Sequence, residues 1–204
     1  MKFYESGDSS KPVIFLFPGT CCLYSSFDHI LDGLHSYFYT VTVSYDGFDP
    51  NEKTEFYSME DECEKIEQEI KKKYDGRIKA AYGCFLGGSF VSLLIQRKRI
   101  HIDHGIIGSS DMDEAGRLVA KIQSSMVVPF MYKMIHTGVL PKFMQKKLNK
   151  TDEVKKELYN GFLNMFGIGK GGSPWITKQS IYNQFYSDLV TKVQHGIDVP
   201  GTTI

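Results

Sequence analysis

The sequence predicts an α/β fold in which a parallel sheet is flanked by helices. Short apolar runs bounded by turn residues alternate with helical patterns over the first half of the chain, as in successive strand–helix–strand units. One of these runs, at residues 13–17, is continuously apolar rather than alternating, which is typical of a strand buried on both faces of a sheet. A length of 204 residues suits one such domain that carries an insertion.

Two strands and a helix are predicted in the first 45 residues. Residues 13–17 form a buried strand, because this apolar run lies between a proline and a Pro-Gly turn. Residues 26–37 space their apolar side chains like one face of a helix. Residues 39–45 are rich in β-branched and aromatic side chains and predict the second strand.

A charged helix is predicted over residues 58–74, with Ser58 as its N-cap. Glu67 precedes Lys71, and Glu69 precedes Lys73, by four positions, an orientation that favours ion pairs along the helix. The alternation then continues with a strand, a helix and a strand, at residues 78–83, 90–97 and 103–108.

The composition excludes several classes of protein. Equal numbers of basic and acidic side chains, 24 of each, predict no nucleic-acid partner and no attraction of the whole chain to an anionic membrane, although the lysine-rich helices expected after residue 112 leave binding to a membrane surface as a minor alternative to a simple helical insertion or a lid. No apolar run is long enough for an integral membrane segment, and the N-terminus has no signal-peptide pattern. Four cysteines without metal-ligand spacing indicate reduced thiols, no metal site and a cytoplasmic location. Phosphate-binding and dinucleotide-binding glycine motifs are absent, so we expect no cofactor.

The most informative motif lies between the third strand and the following helix. Here the chain reads Gly-Cys-Phe-Leu-Gly, with Phe85 between Gly83 and Gly87. A strand that runs directly into Gly-x-x-x-Gly and then into a helix is the strand–turn–helix pattern of a nucleophile elbow. The glycines are needed because the central residue sits at positive φ and its neighbours press against one another.

At this motif the sequence resembles the α/β-hydrolase family of serine esterases and lipases. The loop after the first buried strand, Phe17-Pro18-Gly19-Thr20, matches the position of the family's oxyanion loop. The resemblance implies a hydrolase core over residues 1–111, to which 191–204 return, and a helical cap or lid over 112–190. It also implies that the backbone N–H groups of Thr20 and Leu86 form the oxyanion hole.

The nucleophile position departs from the family pattern. It is occupied by Phe85, which has no lone pair to attack a carbonyl carbon. Cys84 would need small residues where Tyr82 and Leu86 stand, and Ser89 lies a turn inside the helix, so we expect neither to replace the serine.

The acid and the histidine of the family's triad are also in doubt. Asp111 stands where some family members carry the acid, and it equally suits the N-cap of the helix that opens the insertion. His195 is the histidine whose segment runs toward the sheet, although it lies before the family's usual position. The sequence ends on the approach to a further strand, so we expect a sheet that lacks its C-terminal strands. The exposed edge could then be covered by the cap helices or pair in a homodimer.

Three functional hypotheses follow from these residues. The first is a carboxylic ester hydrolase by descent that is inactive because Phe85 replaces the nucleophile. The second is a non-catalytic pseudo-hydrolase that binds a small apolar ester or a similar molecule. The third is an interaction protein that uses the open sheet edge.

Overall fold

A five-stranded sheet forms the centre of the computed structural model, which describes residues 1–110, 114–150, 152–168 and 171–204. The strands are β1 (Lys2–Ser6), β2 (Val13–Phe17), β3 (Tyr39–Ser44), β4 (Arg77–Cys84) and β5 (His101–Gly108). Their spatial order is β1-β3-β2-β4-β5, and all neighbours are parallel except β1 and β3. The predicted α/β class is therefore confirmed, and the sheet is mixed rather than purely parallel.

Seven α-helices lie within the described residues. They are α1 (Asp28–His35), α2 (Met59–Tyr74), α3 (Leu86–Arg97), α4 (Arg117–Thr137), α5 (Lys142–Asn149), α6 (Glu153–Asn164) and α7 (Lys178–Val190). A short 3₁₀ turn at Tyr24–Phe27 leads into α1, so this helix is shorter than the predicted 26–37. Across the described part of the chain, no helix is both long enough and apolar enough to cross a bilayer.

Both faces of the sheet are covered by helices, as the continuously apolar strand predicts. On β2, Ile14 and Leu16 pack with the apolar side chains of α1. The alternate residues Phe15 and Phe17 point into the larger core that α2 and α3 cover. Phe90 of α3 stacks on Phe17 with ring centroids 6.3 Å apart. Because successive strand residues face opposite ways, only a strand apolar at every position can serve two cores.

The edge strand β1 was not predicted from the sequence. It pairs antiparallel with β3, and each of its five residues has a partner in β3, from Lys2 with Ser44 to Ser6 with Thr40. Side-chain contacts from outside the sheet hold this strand. The Tyr4 hydroxyl donates to Asp49 at 2.7 Å, and the Tyr4 ring stacks on Tyr24. A strand held by side-chain bonds to distant residues carries little apolar periodicity.

The opposite edge of the sheet is partly covered by the C-terminal residues. Thr203 forms a parallel bridge with β5, in which Gly105 donates its N–H to Thr203 at 2.8 Å and Thr203 donates to Asp103 at 2.9 Å. The Thr202 hydroxyl donates to the carbonyl of Ile102. The chain thus begins a sixth position in the sheet, beside β5, where the sequence predicted an approach to a further strand.

Helix α2 confirms two local predictions and corrects a third. Its N-cap is Ser58, whose hydroxyl accepts from the N–H of Asp61 at 3.1 Å. Glu69 pairs with Lys73 at 2.7 Å, as predicted. Glu67, however, bonds Arg97 at 2.5 Å rather than the predicted Lys71. The carboxylate of Glu67 is buried between α2 and α3, so the available partner is an arginine of the neighbouring helix.

Four helices, α4 to α7, lie in the described residues after 113, and α7 joins them to the rest of the molecule. Ile181 of α7 is fully buried, and the Ser187 hydroxyl accepts from the N–H of Met59 at 2.7 Å. Just before α7, the indole N–H of Trp175 donates to the carbonyl of Phe48 at 3.3 Å. Helix α4 packs along α7. The division into a core and a cap at residues 111 and 190 stays a prediction, and its first boundary lies outside the described residues.

Candidate active-site elbow

The turn between β4 and α3 holds Phe85 in a strained backbone conformation. Its φ is 51° and its ψ is −127°, a region that side chains other than glycine rarely adopt. The surrounding backbone fixes this geometry. The N–H of Phe85 donates to Gly108 at 3.0 Å, and its carbonyl accepts from Gly88 at 2.9 Å. One residue thus joins the end of a central strand to the first turn of a helix.

Two glycines make this sharp turn sterically feasible. A Cβ atom on Gly83 would lie 2.0 Å from the carbonyl oxygen of Gly87, and one on Gly87 would lie 2.1 Å from the carbonyl oxygen of Phe17. Backbone approaches this close exclude any side chain at either position. The predicted start of the helix at Phe90 was wrong: α3 begins at Leu86, so Gly87 and Gly88 lie within its first turn.

The side chain at the apex is half exposed. Phe85 has 46% of its surface accessible, whereas Leu86 beside it is fully buried. The ring lies against the loop that follows β2, because a Cβ on Gly19 would lie 3.2 Å from Cδ2 of Phe85. The apex therefore presents an aromatic face to solvent at the position from which an elbow projects its functional group.

The loop after β2 is held by two buried side chains. The Tyr45 hydroxyl donates to the carbonyl of Pro18 at 3.1 Å. Gln184 of α7 accepts the N–H of Cys21 at 2.6 Å, and Cys21 has a φ of 60°. Sequence reasoning missed Gln184, because a single glutamine in a helix gives no signal of a bond to a residue 163 positions away.

Thr20 and Leu86, the predicted oxyanion donors, both lie beside the apex. Thr20 follows Gly19, which contacts the Phe85 ring, and Leu86 is the first residue of α3. The first N–H groups of a helix have no partner within the helix, and they carry the positive end of its dipole. The arrangement can therefore attract an oxygen that bears partial negative charge.

The cysteines near the apex are protonated thiols. Burial raises the pKa of Cys21 well above its usual value, and burial together with Cys84 raises that of Cys22 to about 12. The pKa of Cys84 is also raised, again by burial. Because the thiolate is the reactive form, Cys84 is not activated as a nucleophile. All four cysteines of the chain are free, and Cys63 is buried in the helix α2.

Ser89 lies one turn into α3 and faces β5 rather than the apex. Its hydroxyl oxygen is 3.1 Å from that of Ser110, and the side chain is 4% exposed. A Cβ on Gly88 would meet Ser110 at 2.7 Å, so this turn of α3 packs tightly on the chain after β5. The predicted acid Asp111 is the next residue, and it lies outside the described residues.

His195 is not brought to the elbow. It lies exposed in the segment after α7, and its neighbour Gln194 donates its N–H to Gln96 at 2.6 Å. Gln96 is near the C-terminal end of α3, eleven residues from Phe85. At a rise of about 1.5 Å per residue, this places the His195 segment about 16 Å along the helix from the apex.

A separate group of carboxylates could in principle ligate a metal. Oxygens of Asp46, Asp61 and Glu62 lie within 4.8 Å of one another. The ammonium group of Lys65 lies among them, at 2.5 Å from Asp46, 2.5 Å from Asp61 and 3.0 Å from Glu62. The group is therefore an ion-pair network with its own cation.

Comparisons with known proteins give a likeness in structure only. No protein-family model matches the sequence, and no curated protein matches it. An α/β-hydrolase family protein of Desulfitobacterium hafniense superposes with a TM-score of 0.68 at 15% identity, over 93% of this chain and 72% of that one.

Two further solved structures extend the likeness to named enzymes. A carboxylesterase structure from Nitrososphaera gargenis gives a TM-score of 0.65 at 13% identity, over 96% of this chain and 70% of that one. The enol-lactonase of Burkholderia xenovorans gives a TM-score of 0.60 at 11% identity, over 93% of this chain and 69% of that one. The predicted resemblance in fold is confirmed, and the solved chains are longer than this one.

Proposed function

We propose that this chain, whose fold is that of the α/β hydrolases, carries the elbow of a carboxylic ester hydrolase without its nucleophile and binds small apolar esters without hydrolysing them. The observation that carries the proposal is the backbone of Phe85, with φ 51° and ψ −127° between β4 and α3. An apex of this geometry, with glycines two residues away on both sides, is the place where an elbow presents its reactive group.

Covalent ester hydrolysis needs a nucleophile and a base that takes its proton. Phe85 provides no lone pair, and Cys84 is held as a thiol by burial. Ser89 is turned toward Ser110, one helical turn away from the apex. Each candidate nucleophile is therefore blocked by a different physical cause, and we expect no acyl-enzyme.

Binding requires less of the site than catalysis does. The half-exposed ring of Phe85 offers an apolar surface, and the start of α3 offers N–H groups beside it. We infer that an ester would lay its apolar part on the ring and direct its carbonyl oxygen to the N–H groups of Thr20 and Leu86. Four free thiols, three of them buried, suit a reducing compartment, and we place the protein in the cytoplasm as part of this proposal.

The catalytic half of the proposal is tested by pre-steady-state hydrolysis of p-nitrophenyl acetate. We expect no burst of p-nitrophenol. After subtraction of the rate in protein-free solution, the steady rate should equal that of the same concentration of heat-unfolded protein, which measures hydrolysis by surface histidines. A burst with an amplitude close to one equivalent would show a covalent nucleophile and contradict the proposal.

The binding half is tested by nuclear magnetic resonance with phenyl butyrate, an ester with a poorer leaving group. We expect saturable shifts of the amide signals of Thr20 and Leu86, and none at Gly33, an α1 residue with open space around it. Shifts confined to other regions, or none at any concentration, would contradict ester binding at the elbow. A Phe85→Asp variant provides the matched control, since its charge removes the apolar surface while the glycines remain.

A further inference from the structure

The neutral charge of the whole chain conceals a strong segregation along it. Residues 115–151 contain seven lysines and arginines and no aspartate or glutamate. The remainder of the sequence contains 17 basic and 24 acidic side chains. The expectation that a net charge of zero excludes an anionic surface therefore does not apply to this segment, which forms helices α4 and α5.

Helix α4 is apolar on two opposite sides. One side packs along α7 and buries Ala120, Val128 and Ile135. The other side exposes a ridge of residues spaced four apart, in which the exposed fractions are 71%, 52%, 73% and 41% for Leu118, Ile122, Met126 and Phe130. A solvated helix normally places polar residues on its outer face, so this ridge is suited to an apolar partner.

The ridge continues onto α5. The ring of Phe143 is 67% exposed and lies on that of Phe130, with centroids 6.5 Å apart. Cations surround the apolar residues, and none of those described forms an ion pair within the described part of the chain. They are Arg117, Lys121, Lys133, Lys142, Lys146 and Lys150, and all six are exposed.

We propose that the outer face of α4 and α5 binds the surface of an anionic lipid bilayer. An amphipathic helix with exposed leucine, methionine and phenylalanine beside uncompensated lysines lies in the plane of such a surface, with the apolar ridge among the headgroups. The helix stays attached to the protein through its other apolar side, against α7. The inference does not depend on the function proposed for the elbow.

The charge distribution selects a bilayer over a second copy of the chain. A twofold dimer through this face would bring the two basic segments together, and like charges oppose such contact. A convex ridge also fits a flat, deformable surface better than it fits a groove. The phosphate and carboxylate groups of acidic phospholipids supply the negative charge that the segment lacks internally.

The electrostatic part is tested by co-sedimentation of the full chain with vesicles of phosphatidylcholine, with and without phosphatidylserine. We expect binding only when phosphatidylserine is present, and a fall with added salt. A basic residue near a charged bilayer contributes about tenfold or somewhat less to the affinity. Replacing Lys133, Lys142 and Lys146 by glutamine should therefore weaken binding by about 100-fold. Binding should be unchanged in a control with three exposed lysines elsewhere replaced by glutamine: Lys53, Lys71 and Lys72.

The apolar part is tested with Leu118→Ser combined with Met126→Ser. Both side chains are exposed, so the variant should melt at the temperature of the wild type while losing at least about tenfold in vesicle affinity. The control replaces Tyr37 and Tyr57 by serine. These tyrosines are 73% and 65% exposed and lie outside α4 and α5.

Three outcomes would overturn the proposal. One is equal binding to vesicles with and without phosphatidylserine. The second is wild-type vesicle affinity in either the triple-lysine variant or the Leu118→Ser, Met126→Ser variant. The third is the absence of vesicle binding together with another association of this face. That association would be a dimer in sedimentation equilibrium, or a complex with an acidic polypeptide, and the Leu118 and Met126 replacements would abolish it. That result would assign the face to a protein partner.

Discussion

At position 85 two effects on stability oppose each other. The ring of Phe85 is half exposed, so its removal loses less buried area than the removal of a core ring does, while the positive φ of the residue stores strain of about 1–3 kcal/mol that is greater for a bulky side chain than for a small one. Phe90, five residues further on, is fully buried and stacks on both Phe17 and Tyr45. The same residue type thus occupies two environments, one at the apex before α3 and one inside that helix.

We therefore expect Phe85→Ser to change the free energy of unfolding by less than about 1 kcal/mol, and we expect an increase rather than a decrease. Phe90→Ser is the matched control and should cost at least about 3–5 kcal/mol, because it leaves a cavity in the core. Urea denaturation of both variants measures the difference. A loss above about 3 kcal/mol for Phe85→Ser would mean that the ring is part of a packed core.

The site could be predicted only where its residues are close in sequence. The elbow was recognised because Gly83, Phe85 and Gly87 stand within five positions of one another. Gln184 of α7 supports the loop after β2, and no local pattern marks a bond that spans most of the chain. The position of His195 likewise depends on the path of the segment after α7, which is set by a bond to Gln96.

Among the elements, the junction of β4 and α3 is the least tolerant of added volume. Gly83→Ala should destabilise the protein by at least about 3 kcal/mol or prevent folding, because the new Cβ would meet the carbonyl of Gly87 at 2.0 Å. Gly33→Ala in α1 is the matched control, with open space at the new Cβ and an expected gain of about 0.5–1 kcal/mol. Thermal unfolding followed by circular dichroism compares the two. Equal melting temperatures would contradict the close backbone approach.

Helix α2 gives the protein a pH-dependent stability. Burial and the charge of Asp46 raise the pKa of Glu62 to about 7, from an ordinary value of 4.5. The folded state therefore keeps a proton that the unfolded chain releases, and stability falls as the pH rises from about 4.5 through 7.

Glu62→Gln should remove this dependence, since glutamine keeps an oxygen for the N–H of Asp46 but has no proton to lose. Relative to the wild type, we expect the variant to gain up to about 3 kcal/mol between pH 4.5 and pH 8. The measurement is denaturant unfolding of both proteins across that range, with Glu64→Gln, an exposed site on the same helix, as control. A stability difference that is the same at every pH would contradict the raised pKa.

The elements were predictable where burial dictates the residue type. Strand β2 was placed correctly at residues 13–17, because only a strand with two buried faces is apolar at every position. Strand β1 was missed, since most of its side chains are only partly buried and polar bonds hold it. Helix α3 began earlier than expected because tertiary contacts override the low helix propensity of Gly87 and Gly88.

Among the described pairings of the sheet, that between Thr203 and β5 joins the residues that lie farthest apart in the sequence. Thr203→Pro removes the N–H that bonds Asp103, so the C-terminal residues should detach from the sheet edge. We expect amide hydrogen exchange at Gly105 to accelerate by at least about tenfold. Thr203→Ala keeps the backbone bonds and should leave the rate unchanged. Unaltered exchange in the proline variant would show that Gly105 is protected in another way.

The chain contains one tryptophan, and its position has a practical consequence. Trp175 is partly buried and bonded to Phe48, where the segment before α7 meets the loop after β3. Fluorescence excited selectively at tryptophan, at about 295 nm where the tyrosines scarcely absorb, therefore originates at a single junction. A red shift of the emission that precedes the loss of far-ultraviolet circular dichroism would reveal separation at this junction while the secondary structure persists. Fluorescence and dichroism together thus form a built-in test of whether the protein unfolds in one cooperative step.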